Sequence, residues 1–202
     1  GKDIFKACKH IYDETGATEF FVMDENFLKQ PERAQELLVE MEKHSLPFVF
    51  EIFSSAEVVQ QLGVDFLVRL GVKMVWIGVE SKKFGHSKLK GIDFKDLVAK
   101  LQNHGISVNT SAILFLDHHT EEAMKEDIDW VISLGADMTQ FMNYTPYPST
   151  DLHNRLEQEG LIKDIGYRYQ TGQVQLNWEH PHIKDPKRQV EYTRNAFKRK
   201  YK

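Results

Sequence analysis

The chain has 202 residues and is 41% hydrophobic, which suits one sizeable core better than two small domains. Its net charge of -4, with both signs interspersed, provides no field that would imply a nucleic-acid groove or an anionic membrane target. The single cysteine, Cys8, excludes an internal disulfide and cannot hold a metal cluster alone, and no apolar run approaches the ~20 residues that cross a bilayer, so the chain reads as soluble and cytoplasmic.

The first element is a helix over Asp3 to Glu14, with Ile4, Phe5, Ala7, Cys8, Ile11 and Tyr12 at helical spacing and Thr15-Gly16 closing it. Because the chain opens inside this helix without a Met, it reads as a piece of a longer protein. A strand, Glu19–Met23, follows. Pro31 then starts a helix whose buried stripe is Ala34, Leu37, Leu38 and Met41. Pro47–Phe53 is an aromatic and β-branched strand, and Ala56 to Leu70 is helical with an interruption at Gly63. Gly71 ends that stretch before the strand Val72–Ile77. After a polar loop at Lys82–Gly91, Asp93 caps a helix carrying Phe94, Leu97, Val98 and Leu101, which Gly105 stops. Ile106–Leu116 is the next strand, Thr120 caps the next helix, and Gly135 ends it before the strand Asp137–Met142. A further helix runs near Asp151–Glu159. From Gly160 onward the periodicity is weak, apart from an amphipathic helix near Lys187–Lys200. The expected organisation is therefore a strand-helix domain over residues 1–160 and a C-terminal extension over 161–202 that packs on it. The basic run Lys198-Arg-Lys-Tyr-Lys202 reads as a solvated chain end.

Apolar runs recurring about every 30 residues in strand-helix units imply parallel strands buried on both faces. Right-handed crossovers of that kind build either an open doubly wound sheet or part of a barrel, and periodicity does not separate the two. In both, ligands sit beyond the carboxyl ends of the strands. The pocket candidates are then Asp24, Glu25 and Asn26; Glu51, Ser54 and Ser55; Glu80 and Ser81; Asn109, Ser111 and Asp117; and Gln140, Asn143, Tyr144 and Thr145. This rim is acidic and rich in hydroxyls, which suits a ligand with an ammonium group and ribose hydroxyls better than a bare phosphate. Capping of the following helices is the competing role for Asp24, Glu25 and Ser55. Glu80 follows an apolar run and Gly78, where a backbone can approach a ligand closely.

Three segments resemble, in order, motifs of the radical S-adenosylmethionine superfamily, particularly the branch often joined to a cobalamin-binding domain. Met23-Asp-Glu-Asn-Phe27 is similar to the ending of that family's second barrel strand, Ile77-Gly-Val-Glu-Ser81 to its fourth, and Thr145-Pro-Tyr-Pro-Ser-Thr150 to the segment after its sixth. The resemblance covers about four-fifths of the chain. It implies an α/β fold, a partial (βα)6 TIM-like barrel made of parallel strands two to six with flanking helices, plus the C-terminal wrapping segment. It further implies S-adenosylmethionine and a 4Fe-4S cluster as cofactors of the intact parent, with cobalamin as an optional third. In the family a Cys-x3-Cys-x2-Cys loop holds that cluster, and reduction cleaves the cofactor to a 5′-deoxyadenosyl radical.

That loop is absent here and Cys8 cannot replace it, so the expected activity is that of a radical methyltransferase or oxidoreductase in the parent, with this piece inactive. By position, the resemblance places Asp24 and Asn26 at the methionine end of the cofactor, with Glu80 and Ser81 at its amino or ribose groups. Asn109 and Ser111 would line the barrel, and Gln140, Tyr144 and Thr145 would border the adenine or substrate. Glu51 and Ser54 face substrate, though Glu51 suits the cofactor equally. Ser149 stands where the family usually has Gly, which puts that turn's backbone conformation in question. Expected partners are a small-molecule cofactor and a substrate of unknown identity, without nucleic acid or membrane. A barrel lacking its first strand also offers an edge for self-association.

Two other readings compete. A barrel without the three cysteines could serve as a non-catalytic binding module. Asp117-His118-His119 resembles an element of metal-dependent phosphoesterases, although a polar turn before the helix capped at Thr120 is the simpler account. His180-Pro-His182 reads as an exposed loop held by Pro181 rather than a metal site. Phosphate-binding glycine motifs and a nucleophile elbow are missing.

Overall fold

The computed structural model describes residues 1–82, 91–163 and 176–200. Most of the expected polar loop at 82–91, part of the weakly periodic tail and the end of the basic run lie outside them. The strands are β1 (Glu19–Phe21), β2 (Val49–Phe53), β3 (Val72–Gly78), β4 (Ser107–Leu114) and β5 (Met138–Asn143), joined in one sheet in the order β1-β2-β3-β4-β5. Pairing is parallel, with Phe21 opposite Glu51 and Phe53 opposite Trp76. Sequential order with helical crossovers is the arrangement of a partial TIM-like α/β barrel, which decides between the two architectures left open by periodicity.

The helices are α1 (Lys2–Thr15), α2 (Pro31–His44), α3 (Ala56–Leu62), α4 (Val64–Leu70), α5 (Phe94–Asn103), α6 (Glu121–Ser133), α7 (Asp151–Gln158) and α8 (Pro186–Lys200). Their ends follow the expected chemistry. Pro31 begins α2, the Asp93 carboxylate accepts from Asp96 N–H at 3.0 Å, and Thr120 Oγ1 accepts from Ala123 N–H at 3.2 Å. Gly71 is the glycine the fold most needs. Its φ is +85° and a Cβ there would sit 2.1 Å from the Phe48 carbonyl oxygen, so any side chain would push α4 off β2.

Two strands end earlier than their apolar runs. β1 stops at Phe21, and a 3-10 turn at Phe27–Lys29 leads into α2. β4 stops at Leu114 because Phe115 takes φ +62°, a left-handed conformation that a parallel strand cannot continue through.

The chain forms two compact units. The described part of the first comprises residues 1–79, 91–110 and 134–139. Its core is built from Phe5, Leu37, Leu38, Phe48, Phe50, Ile52 and Leu67, each at most 4% exposed. Phe50 and Ile52 alternate with half-buried Glu51 and Phe53, so β2 has one face in this core and the other partly open. Each fully buried side chain of that size stabilises by about 1.5–3 kcal/mol.

The described part of the second unit comprises residues 80–82, 111–133, 140–163 and 176–200. Its core joins Leu114, Phe115, Met124 and Ile128 to Leu156, Trp178, Ile183 and Ala196. Trp178 is fully buried and its indole N–H donates to the Tyr144 carbonyl at 2.9 Å, so the chain after Gly160 contributes to this core. Among the described residues no helix is long and apolar enough to cross a membrane.

Candidate functional site

The turn after β1 is held almost entirely by its own side chains. Asp24 Oδ1 accepts from Asn26 N–H at 3.0 Å, and Asp24 Oδ2 pairs with the Arg33 guanidinium at 2.8 Å. Arg33 also donates to the Phe27 carbonyl at 2.6 Å and lies over the Phe27 ring. Asn26 reaches the end of β2: its Nδ2 donates to Ser55 Oγ at 3.1 Å, while its Oδ1 accepts from Ser54 Oγ at 3.1 Å and Ser55 N–H at 3.2 Å. The structure thus brings Asp24, Asn26 and Ser54 together, with Ser55 added. Their hydrogen bonds serve the turn itself, so these groups shape a rim more than they present ligating atoms to it.

The open face of the sheet in this unit is aromatic. Phe21, Phe53 and Trp76 form a ladder with centroids 5.1–6.2 Å apart, and Phe21 is 48% exposed. Glu51 lies half-buried on the same face, opposite Phe21 in the register, and its charge helps raise the Lys73 pKa after the larger effects of the Glu19 hydrogen bond and charge. Four buried side-chain atoms of this unit find no hydrogen-bond partner among the described residues: Arg33 Nε, Glu57 Oε2, the Trp76 indole nitrogen and Asn109 Oδ1. Asn109 is 4% exposed and alternates along β4 with the core residues Val108 and Thr110. A buried acceptor left without a donor is the observation here that most directly calls for a ligand.

In the second unit, Glu80 and Ser81 form the turn beyond β3, and Glu80 takes φ +55°. Ser81 is buried and its hydroxyl hydrogen-bonds Asp127, a 4%-exposed carboxylate on α6. Asp127 Oδ1 also accepts from Lys82 N–H at 3.0 Å, and its Oδ2 lies 3.2 Å from Nε2 of His119. Because His119 Nδ1 accepts from Leu116 N–H at 3.1 Å, the ring proton resides on Nε2 and points at the carboxylate. Burial alone would raise the Asp127 pKa, but the hydrogen bonds from His119, Ser81 and Lys82 together hold it below the ordinary carboxylate value.

This corrects the reading of His119 as part of a polar turn: it is fully buried and both ring nitrogens are engaged. Neither is left for a metal, and Asp117 is tied to Arg155. No group of three or more potential metal ligands occurs among the described residues.

His180 also departs from expectation. Rather than lying in an exposed loop it is 8% exposed, with Nε2 donating to the Leu116 carbonyl at 3.0 Å and Nδ1 accepting from His182 N–H and Ile183 N–H, both at 3.2 Å. The Leu116 peptide is therefore clasped between two buried imidazoles. Burial is the main reason that the His180 pKa is lowered. Pro181 and His182 themselves are exposed.

The remaining second-unit candidates are half-buried: Ser111 on β4, Gln140 on β5, and Tyr144 and Thr145 beyond it. Thr145 Oγ1 donates to the Asn143 carbonyl at 2.9 Å, and Tyr144 packs against the core of the unit. Ser149 has φ +70°, so it keeps the left-handed conformation that a glycine adopts freely.

No family model matches the sequence, and no curated protein matches it. Solved structures do share its fold. A radical S-adenosylmethionine methyltransferase, TsrM from Kitasatospora setae, bound to cobalamin and a 4Fe-4S cluster, aligns over 97% of this chain and 40% of its own, with 16% identity and a TM-score of 0.65. Coproporphyrinogen III oxidase (HemN) from Escherichia coli, described as a radical SAM enzyme, aligns over 98% of this chain and 44% of its own, with 12% identity and a TM-score of 0.55. The archaeal Elp3 of Methanocaldococcus infernus aligns over 77% of this chain and 44% of its own, with 15% identity and a TM-score of 0.53. The chain thus spans less than half the length of these proteins.

The cluster carried by the first of them can be tested against this sequence. Three thiolates are needed for the family's loop and the chain has one cysteine. Cys8 is buried on α1 and burial raises its thiol pKa, opposite to what a thiolate ligand requires. The residues of this chain do not fit the cluster. What it shares with radical S-adenosylmethionine enzymes is their fold.

Proposed function

We propose that the carboxyl ends of these strands bind S-adenosylmethionine, and that the chain is the cofactor-holding barrel portion of a radical enzyme of methyltransferase or oxidoreductase type. The observation that carries this reading is the correspondence of fold along 97% of the chain, combined with motif-like segments at the strand ends. The unpartnered Asn109 Oδ1 supports it, because an acceptor in a dry site suits the ammonium or ribose hydroxyls of that cofactor.

In this reading Glu80 supplies the carboxylate for the amino or ribose groups, while Ser81 positions the turn through Asp127. Asp24, Asn26 and Ser54 shape the rim at the methionine end. Ser111, Gln140, Tyr144 and Thr145 border the adenine or substrate, and Glu51 contacts the substrate. Cluster thiolates come from residues other than these 202, so the chain alone binds without turning over. Its single buried cysteine equally favours a non-catalytic binding module, which the same residues would serve.

Isothermal titration with S-adenosylmethionine tests the binding step. The expected result is saturable one-to-one binding, weakened about tenfold by Asn109→Leu. That substitution removes an unpaired buried acceptor at similar volume, so folding should be preserved. Absence of saturation, or equal affinity in the variant, would overturn the reading.

A further inference from the structure

The second unit contains a cavity of about 660 Å³ that the cofactor reading does not use. Among the described residues, four cationic side chains line it, Lys163, Lys187, Arg194 and Lys198, against one carboxylate, Glu191. Three of these cations and Glu191 are on α8 at steps of four, three and four residues, which places them on one face of the helix. A different stripe of α8 docks it onto the unit: Ala196 is buried in the core and the Tyr192 hydroxyl donates to the Asp129 carboxylate at 2.7 Å. The basic stripe keeps its side chains exposed while lining the open side of the cavity, so its charges are accessible to a ligand entering from solvent. Lys163 lies 4.0 Å from Glu179 and is partly neutralised, but Lys187, Arg194 and Lys198 still outnumber Glu191.

The cavity also holds a directional group. Asn143, at the end of β5, lines it and is 9% exposed, and its Nδ2 is buried without a hydrogen-bond partner among the described residues. A buried amide donor with no acceptor is rare in folded proteins and marks a place where an acceptor is expected. On β5, Asn143 shares its face with Phe141, which packs against the core, and lies opposite in the alternation to Gln140. Asn143 belongs to the strand-end rim by position but is not among the residues assigned to the cofactor, and the charge around it is of the opposite sign to that acidic rim.

A ligand that satisfies these features must accept a hydrogen bond and carry more than one negative charge in a compact volume. A lone carboxylate leaves most of the positive charge unmatched, whereas phosphoryl oxygens present both charge and acceptors in several directions. We propose that this cavity binds a phosphate-bearing small molecule, held by Lys187, Arg194 and Lys198 through charge and by the Asn143 amide through a hydrogen bond. The proposal does not depend on the cofactor assignment.

Titration calorimetry of the whole chain with inorganic pyrophosphate tests it. The expected result is saturable one-to-one binding that weakens with salt, and that weakens about tenfold or more when Arg194→Gln and Lys198→Gln are combined. Both side chains are exposed, so the substitutions should leave the fold intact, as checked by an unchanged melting temperature without ligand. Lys2→Gln combined with Lys95→Gln, at exposed positions of α1 and α5, removes the same net charge and should not change the affinity. No saturation by 10 mM pyrophosphate (on the order of the weakest specific binding), equal weakening by the Lys2→Gln and Lys95→Gln control, or unaltered binding in the Arg194→Gln and Lys198→Gln variant would each overturn it.

Discussion

The turns after β1 and β3 both end in an acidic residue followed by small polar ones, yet they are held by different physics. In the first unit, Asn26 joins Ser54 and Ser55 through neutral amide and hydroxyl hydrogen bonds. In the second, Ser81 and Lys82 rest on the buried carboxylate of Asp127, which His119 also faces. Losing a neutral hydrogen bond near water is partly made good by solvent. A carboxylate that is 4% exposed has no such substitute, and removing it leaves several buried donors unpaired.

Asp127→Ala should therefore have the largest effect, a loss of about 3 kcal/mol or more in urea unfolding. Asp127→Asn, which keeps an acceptor, should cost less. Asn26→Ala should cost about 1–2 kcal/mol, and a cost equal to that of Asp127→Ala would erase the contrast between the two turns.

Acid sharpens the same comparison. The His180 and His118 pKa values are lowered, in each case chiefly by burial. As pH falls below their ordinary value of 6.5, the unfolded chain takes up protons that the folded chain resists, so stability present above that pH is lost on the way down. The lowered Asp127 pKa contributes stability that is present above its ordinary value of 3.8 and lost as pH falls further through the folded value. Urea midpoints measured between pH 8 and 5 should fall (roughly the histidine window), and His180→Gln should flatten that slope. The side-chain bonds that Asn26→Ala removes run only to Ser54 and Ser55, neither of which titrates, so that substitution should shift the curve without changing its shape.

The smallest effect is expected at Ser149→Gly. Relieving φ +70° should raise stability by under about 1 kcal/mol, since part of the gain is offset by the entropy of a more flexible unfolded chain. A loss of stability would mean that the Ser149 side chain does more for the turn than its backbone strain costs.

Legibility in the sequence followed the same division. Helices with caps and glycine stops were readable because the signals are local: Asp93, Thr120, Gly16 and the break at Gly63 all act where the residue types indicate. The presence and order of the strands that frame the candidate site were also readable from their apolar runs, but the ends of β1 and β4 were not, since both strands stop two residues early. The buried Asp127–His119 pair was not, because it joins a loop to a helix through tertiary contact. One signal did exist: Asp127 falls within the stripe Met124, Ile128 and Val131, where a carboxylate has to be paired. His180 was hidden by Pro181, whose neighbourhood resembles a turn, although Trp178 and Ile183 on either side are core residues. The left-handed Phe115 had no sequence signal at all, since nothing in a buried aromatic residue announces positive φ.

Reconstituting the chain with iron and sulfide under anaerobic conditions, and following cluster absorbance together with S-adenosylmethionine cleavage, tests the central claim most directly. The account predicts no stable cluster and no cleavage, because a radical-enzyme fold with one buried cysteine cannot anchor the iron. A one-to-one cluster that cleaves the cofactor would contradict it.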